Sequence, residues 1–243
     1  MTSMQESDTS LYLVPTPIGN LKDITLRALE VLQNVNLILA EDTRTSSFLL
    51  KHYNIEKPLK SFHAFNEHQT VHALIQRMQQ GEKFALISDA GTPGISDPGY
   101  LLARAALQAD LKIECLPGAT AFVPALIKSG FPTDRFVFEG FLPHKKGKQT
   151  LIKAIAKENR TVILYESPYR LVKTLEQLKE FCGAERMVSV SRELTKKFEE
   201  TYTNTLVNTV EYFSKKEVKG EIVIVLDGLD SKIKKQEDDD DEE

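Results

Sequence analysis

The sequence predicts an α/β protein made of two successive α/β domains, and three observations carry that prediction. Short uninterrupted apolar runs, such as NLILA (36–40) and KFALIS (83–88), alternate with longer amphipathic segments, the pattern of a mainly parallel sheet covered on both faces. The alternation breaks at LPGATAFVPALIKSGFPTDRF (116–136), where three prolines and two glycines interrupt a moderately apolar stretch. After that break the alternation starts again.

Taken in order, Leu11 to Val14 reads as a strand stopped by Pro15 and Pro17. DITLRALEVLQ reads as a helix with Asp23 as N-cap and Ile24, Ala28, Val31 and Leu32 on one face. Asn36 to Ala40 is the next strand and Thr43 to Lys51 the next helix. Glu67 to Gln80 is a helix closed by Gly81, and Lys83 to Ser88 a buried strand. Pro98 to Ala109 is helical, with proline at the start, and Lys112 to Leu116 is a strand. The second half gives strands at Phe136 to Phe141, Thr161 to Tyr165, Met187 to Ser191 and Glu221 to Leu226. Its helices are Gln149 to Glu158, Tyr169 to Phe181 and Leu206 to Phe213. The expected organisation is a disordered N-terminus (1–10), an N-terminal domain (11–118), a C-terminal domain (119–230) and a disordered acidic tail (231–243).

Composition excludes several classes. The formal net charge of −4 is that of the tail alone, where seven acids and three lysines follow Asp230. The body is neutral, so an RNA-binding face has to come from local placement of charge. Cys115 and Cys182 are too few and too far apart for a disulfide framework and read as buried or half-buried thiols in a reducing compartment. No apolar run is long enough to span a bilayer, and MTSMQESDTS lacks the features of a secretion signal, so the expected location is the cytoplasm.

The chemistry concentrates in loops that follow strands, where open α/β sheets bind their ligands. SDAGTPGISDPG (88–99) combines Gly91, Gly94 and Gly99 with Pro93 and Pro98, and adds Asp89, Thr92, Ser96 and Asp97. Twelve residues exceed what a turn needs, so the loop reads as a backbone-lined cradle for a nucleotide-like ligand. VPTPIGN (14–20) is by itself equally well a rigid strand–helix turn. In LPGATA (116–121), Thr120 suits a helix cap or a ligand bond. AEDTRT, YESPYR and SRELTK each put acids beside a cation at a strand end. His68 and His72 have a zinc-compatible spacing but no third ligand, so no metal is expected. His63 and Asn66 are candidates to line a pocket.

Together VPTPIGNLKDITLRALEVL, AEDTR, SDAGTPGISDPGY, PTDRFVFEGFLP, YESPYR and SRELTKKFEE resemble the ribosomal RNA methyltransferases of the tetrapyrrole methylase superfamily, the class III methyltransferases. The resemblance runs from about Leu11 to Leu226. It implies two α/β domains with the cofactor in the cleft between them, in a homodimer. It implies S-adenosylmethionine as methyl donor and 2′-O-methylation of a cytidine ribose in the decoding region of small-subunit ribosomal RNA, free or in the assembled subunit. Carried over residue by residue, it implies cofactor contacts at Pro17, Ile18 and Gly19, at Asp89, Ala90, Gly91, Thr92 and Ile95, at Ala119, Thr120 and Ala121, and at Tyr165, Glu166 and Leu194. PGAT replaces the PGPS of many relatives, which favours a backbone role there.

Methyl transfer to a ribose hydroxyl gains from a base and from aligned reactants. Glu41, Asp42 and Glu67 are the candidate carboxylates. Arg44 and Arg170 are candidate phosphate anchors, and His144 to Lys148 (HKKGK) is a candidate RNA-backbone patch. Two other readings are a methylase of a small tetrapyrrole and a non-catalytic cofactor-binding module. AEDTR, YESP and SRELTK favour the RNA enzyme over the first; the second predicts binding without turnover.

Overall fold

A computed structural model describes residues 8–63 and 67–229, without the side chains of 67–69. The acidic tail and Asn66 lie outside the described residues. The chain divides after Ala121 into two compact units.

In the first unit, β1 (Leu11–Leu13), β2 (Leu37–Ala40), β3 (Leu59–Ser61), β4 (Phe84–Ile87) and β5 (Ile113–Cys115) form one sheet in the order β3-β2-β4-β1-β5. Every pair is parallel, so all five carboxyl ends share an edge. Side chains alternate between two cores. Tyr12, Ile38, Ala40, Ala85 and Ile87 pack with Ala28, Val31 and Leu32 of α1 (Leu26–Asn34) and Leu50 of α2 (Thr43–His52). Leu11, Leu37, Leu39, Phe84 and Leu86 pack with Leu74 and Met78 of α3 (Glu67–Gln79) and Leu102 and Ala106 of α4 (Tyr100–Gln108). The doubly covered parallel sheet is the one the apolar runs predict.

Three local expectations change. Helix α1 is capped by Thr25, whose hydroxyl accepts from the Ala28 N–H, while Asp23 ends a preceding 3-10 turn. Order begins before Leu11, because Thr9 is buried and the Ser10 main chain bonds Lys112 and Phe84, extending the ladder. Cys115 is exposed, as its place at the end of an edge strand allows.

The second unit begins with α5 (Phe122–Ser129), inside the stretch expected as a boundary. Pro124 is tolerated there because it falls in the first helical turn, where its missing N–H has no partner to lose. The second sheet contains β6 (Phe136–Phe141), β7 (Thr161–Glu166), β8 (Met187–Arg192), β9 (Glu200–Thr205) and β10 (Ile222–Leu226), in the order β6-β7-β10-β8-β9. Only β6 and β7 pair in parallel; the other three pairs are antiparallel. The restart of alternation is therefore real, but this sheet is mixed. The core side chains of β7, β8 and β10 bury α6 (Lys148–Ile155), α7 (Leu171–Cys182) and α8 (Leu206–Ser214) on one face.

Candidate active site

Four of the five strand-end loops of the first unit are laced together. Thr16 and Gly91 exchange both main-chain hydrogen bonds, at 2.9 and 3.0 Å, and the Thr16 hydroxyl donates to the Ser88 carbonyl at 3.0 Å. The Thr92 hydroxyl donates to the Ala119 carbonyl at 3.1 Å. The Asp89 carboxylate accepts from the Asp42 N–H at 3.0 Å. So Pro17 to Gly19, Glu41 and Asp42, Asp89 to Thr92 and Ala119 to Ala121 meet at one strand edge. Ile18 is buried and Ile95 is exposed.

Glycine is required at two points. A Cβ on Gly118 would lie 2.6 Å from Pro15 Cβ, and one on Gly99 would lie 2.6 Å from Leu86 Cδ2. Gly99 also has φ +133°, so an L side chain is strained there as well. Gly91 spends its N–H and C=O on Thr16, which narrows the expectation of a freely ligand-facing main chain from Asp89 to Thr92.

The edge is strongly acidic. Burial raises the pKa of Glu41, Asp89 adds to the rise, His63 opposes it and Asp42 adds again. Loss of water also raises Asp89, against the Asp42 N–H that its carboxylate accepts. Asp97 is pushed up to about 7 by burial and then by Glu41 and Asp89. Asp42 differs: its bonds to the Arg44 side chain and N–H hold it down at about 2. Asp42 is the N-cap of α2, and Arg44 points into solvent. In the sequence Asp97 is one of four polar residues of the cradle loop, and Thr16 is not singled out. Nothing in the residues of that loop sets Asp97 above Asp89, and nothing local marks Thr16.

Asp97→Asn is expected to stabilise the protein by about 1–2 kcal/mol at pH 8, once relief of the part-buried charge is discounted for solvent screening and set against the loss of a Ser88 hydrogen bond. The carboxyl binds its proton more tightly folded than unfolded, so wild-type stability falls as pH rises from about 4 to about 7. The gain should therefore vanish near pH 4. Urea unfolding at pH 4, 6 and 8 checks this; equal stability at pH 8 refutes it.

In the second unit, Tyr165 and Glu166 end β7. Ile222 pairs with Glu166 on one side and Arg192 on the other, which puts Leu194, just past β8, on the same edge. Tyr165 packs edge-on against Phe138 and Phe141, with ring centroids 5.1 and 5.6 Å away. Leu194 is buried between Glu193 and Thr195, both at positive φ. The Glu166 carboxylate is fully engaged inside the unit. Oε1 accepts from Arg170 Nε at 2.6 Å and the Ser167 N–H at 2.7 Å, and Oε2 accepts from the Thr174 hydroxyl at 2.7 Å.

This network corrects two expectations. Arg170 is not a free phosphate anchor, because its other nitrogens reach His144 Nδ1 and the Leu142 carbonyl. Lys148 is not part of an exposed patch, because it is buried with its Nζ donating to Thr174. Glu67 opens α3, but its side chain lies outside the described residues, as does that of His68. Among the described residues, no cluster of three or more His, Cys, Asp or Glu has metal-holding geometry.

A laced parallel-sheet edge followed by a mixed α/β unit is the architecture of a class III methyltransferase. The family model for tetrapyrrole (corrin/porphyrin) methylases matches residues 10–209, and the chain belongs to that family, among relatives named ribosomal RNA small subunit methyltransferase I. The relative from Synechocystis sp. is 51% identical, covering 90% of this chain and 78% of its own. That from Thermotoga maritima is 44% identical, covering 90% and 98%. Two solved structures share the fold. Diphthine synthase has a TM-score of 0.72 at 14% identity, covering 90% of each chain. Uroporphyrin-III-C-methyltransferase from Thermus thermophilus has 0.62 at 19%, covering 89% of this chain and 93% of its own.

Methyltransferases of this family use S-adenosylmethionine as methyl donor. The residues present fit it. Glu41, Asp89 and Asp97 form no ion pair with lysine or arginine among the described residues; burial first and neighbouring carboxylates second raise their pKa values, and a cationic sulfonium at this edge would favour their ionised forms. Among the described residues no helix is long and apolar enough to cross a membrane.

Proposed function

We propose that the chain 2′-O-methylates a cytidine ribose in the decoding region of small-subunit ribosomal RNA, with S-adenosylmethionine as donor, and that it acts in the cytoplasm as a homodimer. The observation that carries the reading is identity of 44–51% across 90% of the chain to relatives bearing the ribosomal RNA name. The acidic, laced edge supports it, since that edge suits a cationic donor and a proton acceptor.

S-adenosylmethionine supplies a methyl group activated by its positive sulfur for in-line displacement. Pro17, Ile18 and Gly19, Asp89 to Thr92 with Ile95, and Ala119 to Ala121 line its place on the first unit. Tyr165, Glu166 and Leu194 belong to it on the second, Glu166 as the strut that fixes the end of β7. Glu41 takes the proton of the ribose hydroxyl, because its carboxyl is desolvated and basic, whereas Asp42 is neutralised by Arg44. Arg44, exposed beside it, anchors a phosphate, and Glu67 remains a second candidate acid. We assign the two domains to the chain on either side of Ala121, just past the boundary expected after residue 118.

Mapping ribose methylation on small-subunit RNA incubated with labelled S-adenosylmethionine tests the proposal. One new 2′-O-methylcytidine in the decoding region is the expected result. Methyl transfer to a porphyrin precursor alone, or cofactor binding without transfer, overturns it.

A further inference from the structure

The β6–α6 loop and the β7–α7 turn stand against one another on one edge of the second sheet, because Arg170 bonds both Leu142 and His144 across the gap. Buried Lys148, held by Thr174, pins the far end of the same loop. Between these two staples the loop presents Lys145 and Lys146, both exposed and without an ion pair among the described residues. Lys173, exposed on the first turn of α7, is close enough for its charge to be felt at Lys148. Both α6 and α7 begin here with no side-chain cap, so their positive ends add to the field. The acid at the centre, Glu166, is buried and spent on Arg170, and Glu176 lies a turn further along α7. On a chain of net charge −4 this edge is a local positive patch.

Tyr169 stands within it. The ring is 96% exposed, while its backbone sits in a fixed turn where the Arg170 N–H donates to the Ser167 carbonyl at 3.0 Å. A solvated aromatic on a fixed turn among cations offers a π-face to an unstacked base, which duplex RNA does not present. We propose that this edge of the second unit binds an unpaired segment of the RNA substrate, with Lys145, Lys146 and Lys173 on its phosphates and Tyr169 beneath a base. The inference rests on the ribosomal RNA reading and adds where and how the RNA is held.

The test measures binding of a fluorescent single-stranded pyrimidine RNA, and of small ribosomal subunits, to the full chain across a salt series. Combined Lys145→Ala, Lys146→Ala and Lys173→Ala should lower the slope of log affinity against log salt by about 2, at about 0.7 per phosphate contact. Tyr169→Ala should weaken RNA binding about ten-fold or more, and Tyr169→Phe should keep it within about three-fold. Lys215→Ala with Lys219→Ala, two exposed lysines already paired with Glu211 and Glu217, serves as the control and should leave the slope unchanged. Wild-type protein that methylates subunits, with affinity and slope indifferent to all these changes, overturns the surface and leaves the function standing. Wild-type protein that neither methylates subunits nor binds RNA overturns both. Lost affinity for a protein of the subunit, with RNA affinity intact, assigns the patch to protein and refutes it for RNA.

Discussion

Glu166→Ala is expected to cost about 3–5 kcal/mol, among the largest stability effects of any single change in the second unit. The carboxylate, at the end of β7, is fully buried and holds three donors, two from the β7–α7 turn and one from α7. Removing it leaves the Arg170 guanidinium and the Lys148 ammonium in the same desolvated region with no counter-charge. Burial already lowers the pKa of Lys148, and the attraction of Glu166 is the one influence that opposes this. The variant should therefore shed the Lys148 proton or admit water, and the HKKGK loop should loosen with it. Lys148→Met in the Glu166→Ala background should recover part of the loss, because a buried cation without its partner is worse than an apolar side chain of similar length. Urea unfolding of the four proteins of that cycle decides. A single-variant loss below about 1 kcal/mol, or no recovery in the pair, refutes the account.

The same network shows where sequence reading stops. Strands β1, β2, β4, β7 and β10 were legible because each is an apolar run with burial on both faces. Strand β3 (LKS) and strand β9 (ETYTNT) were not, since both are edge strands, only partly buried, whose polar residues carry no hydrophobic period. Helix α5 reads as a boundary because Pro124 and Gly130 look like breakers, and only its position in the first turn makes the proline harmless. The direction of β10, which makes the second sheet mixed, has no signature in the residues of IVIVL. At the site, the glycine–proline loop announced itself, and so did the acids of AEDTR. What could not be read is which polar groups meet. Thr16 bonds Gly91 across 75 positions, and Lys148 bonds Thr174 across 26. YESPYR drew attention as a strand-end motif, yet its Glu166 and Arg170 satisfy each other, so the chemistry they seemed to offer a ligand is turned inward.

Unlike that pair, Glu41 forms no ion pair with lysine or arginine among the described residues, and this separates a strut from a proton acceptor. Glu41→Gln is expected to slow methyl transfer by about 10²–10⁴-fold, falling on kcat rather than on KM for RNA. In the wild type, kcat should rise with pH along a limb displaced above the ordinary glutamate range, because burial and the Asp89 charge raise Glu41 more than His63 lowers it. The sign follows from the role: the carboxylate must be ionised to accept the hydroxyl proton, so activity is lost as pH falls through its raised pKa. Asp89→Asn keeps an acceptor for the Asp42 N–H but removes the neighbouring charge, and should move the limb to lower pH. Asp42→Asn should leave the limb in place, since Asp42 is already ionised beside Arg44 and only a minor influence on Glu41. Single-turnover rates from pH 4 to pH 9 for wild type and the three variants check this. A limb that persists unchanged in Glu41→Gln removes Glu41 as the base and moves the role to Asp97, another carboxyl at this edge that burial and its neighbours hold up, at about 7.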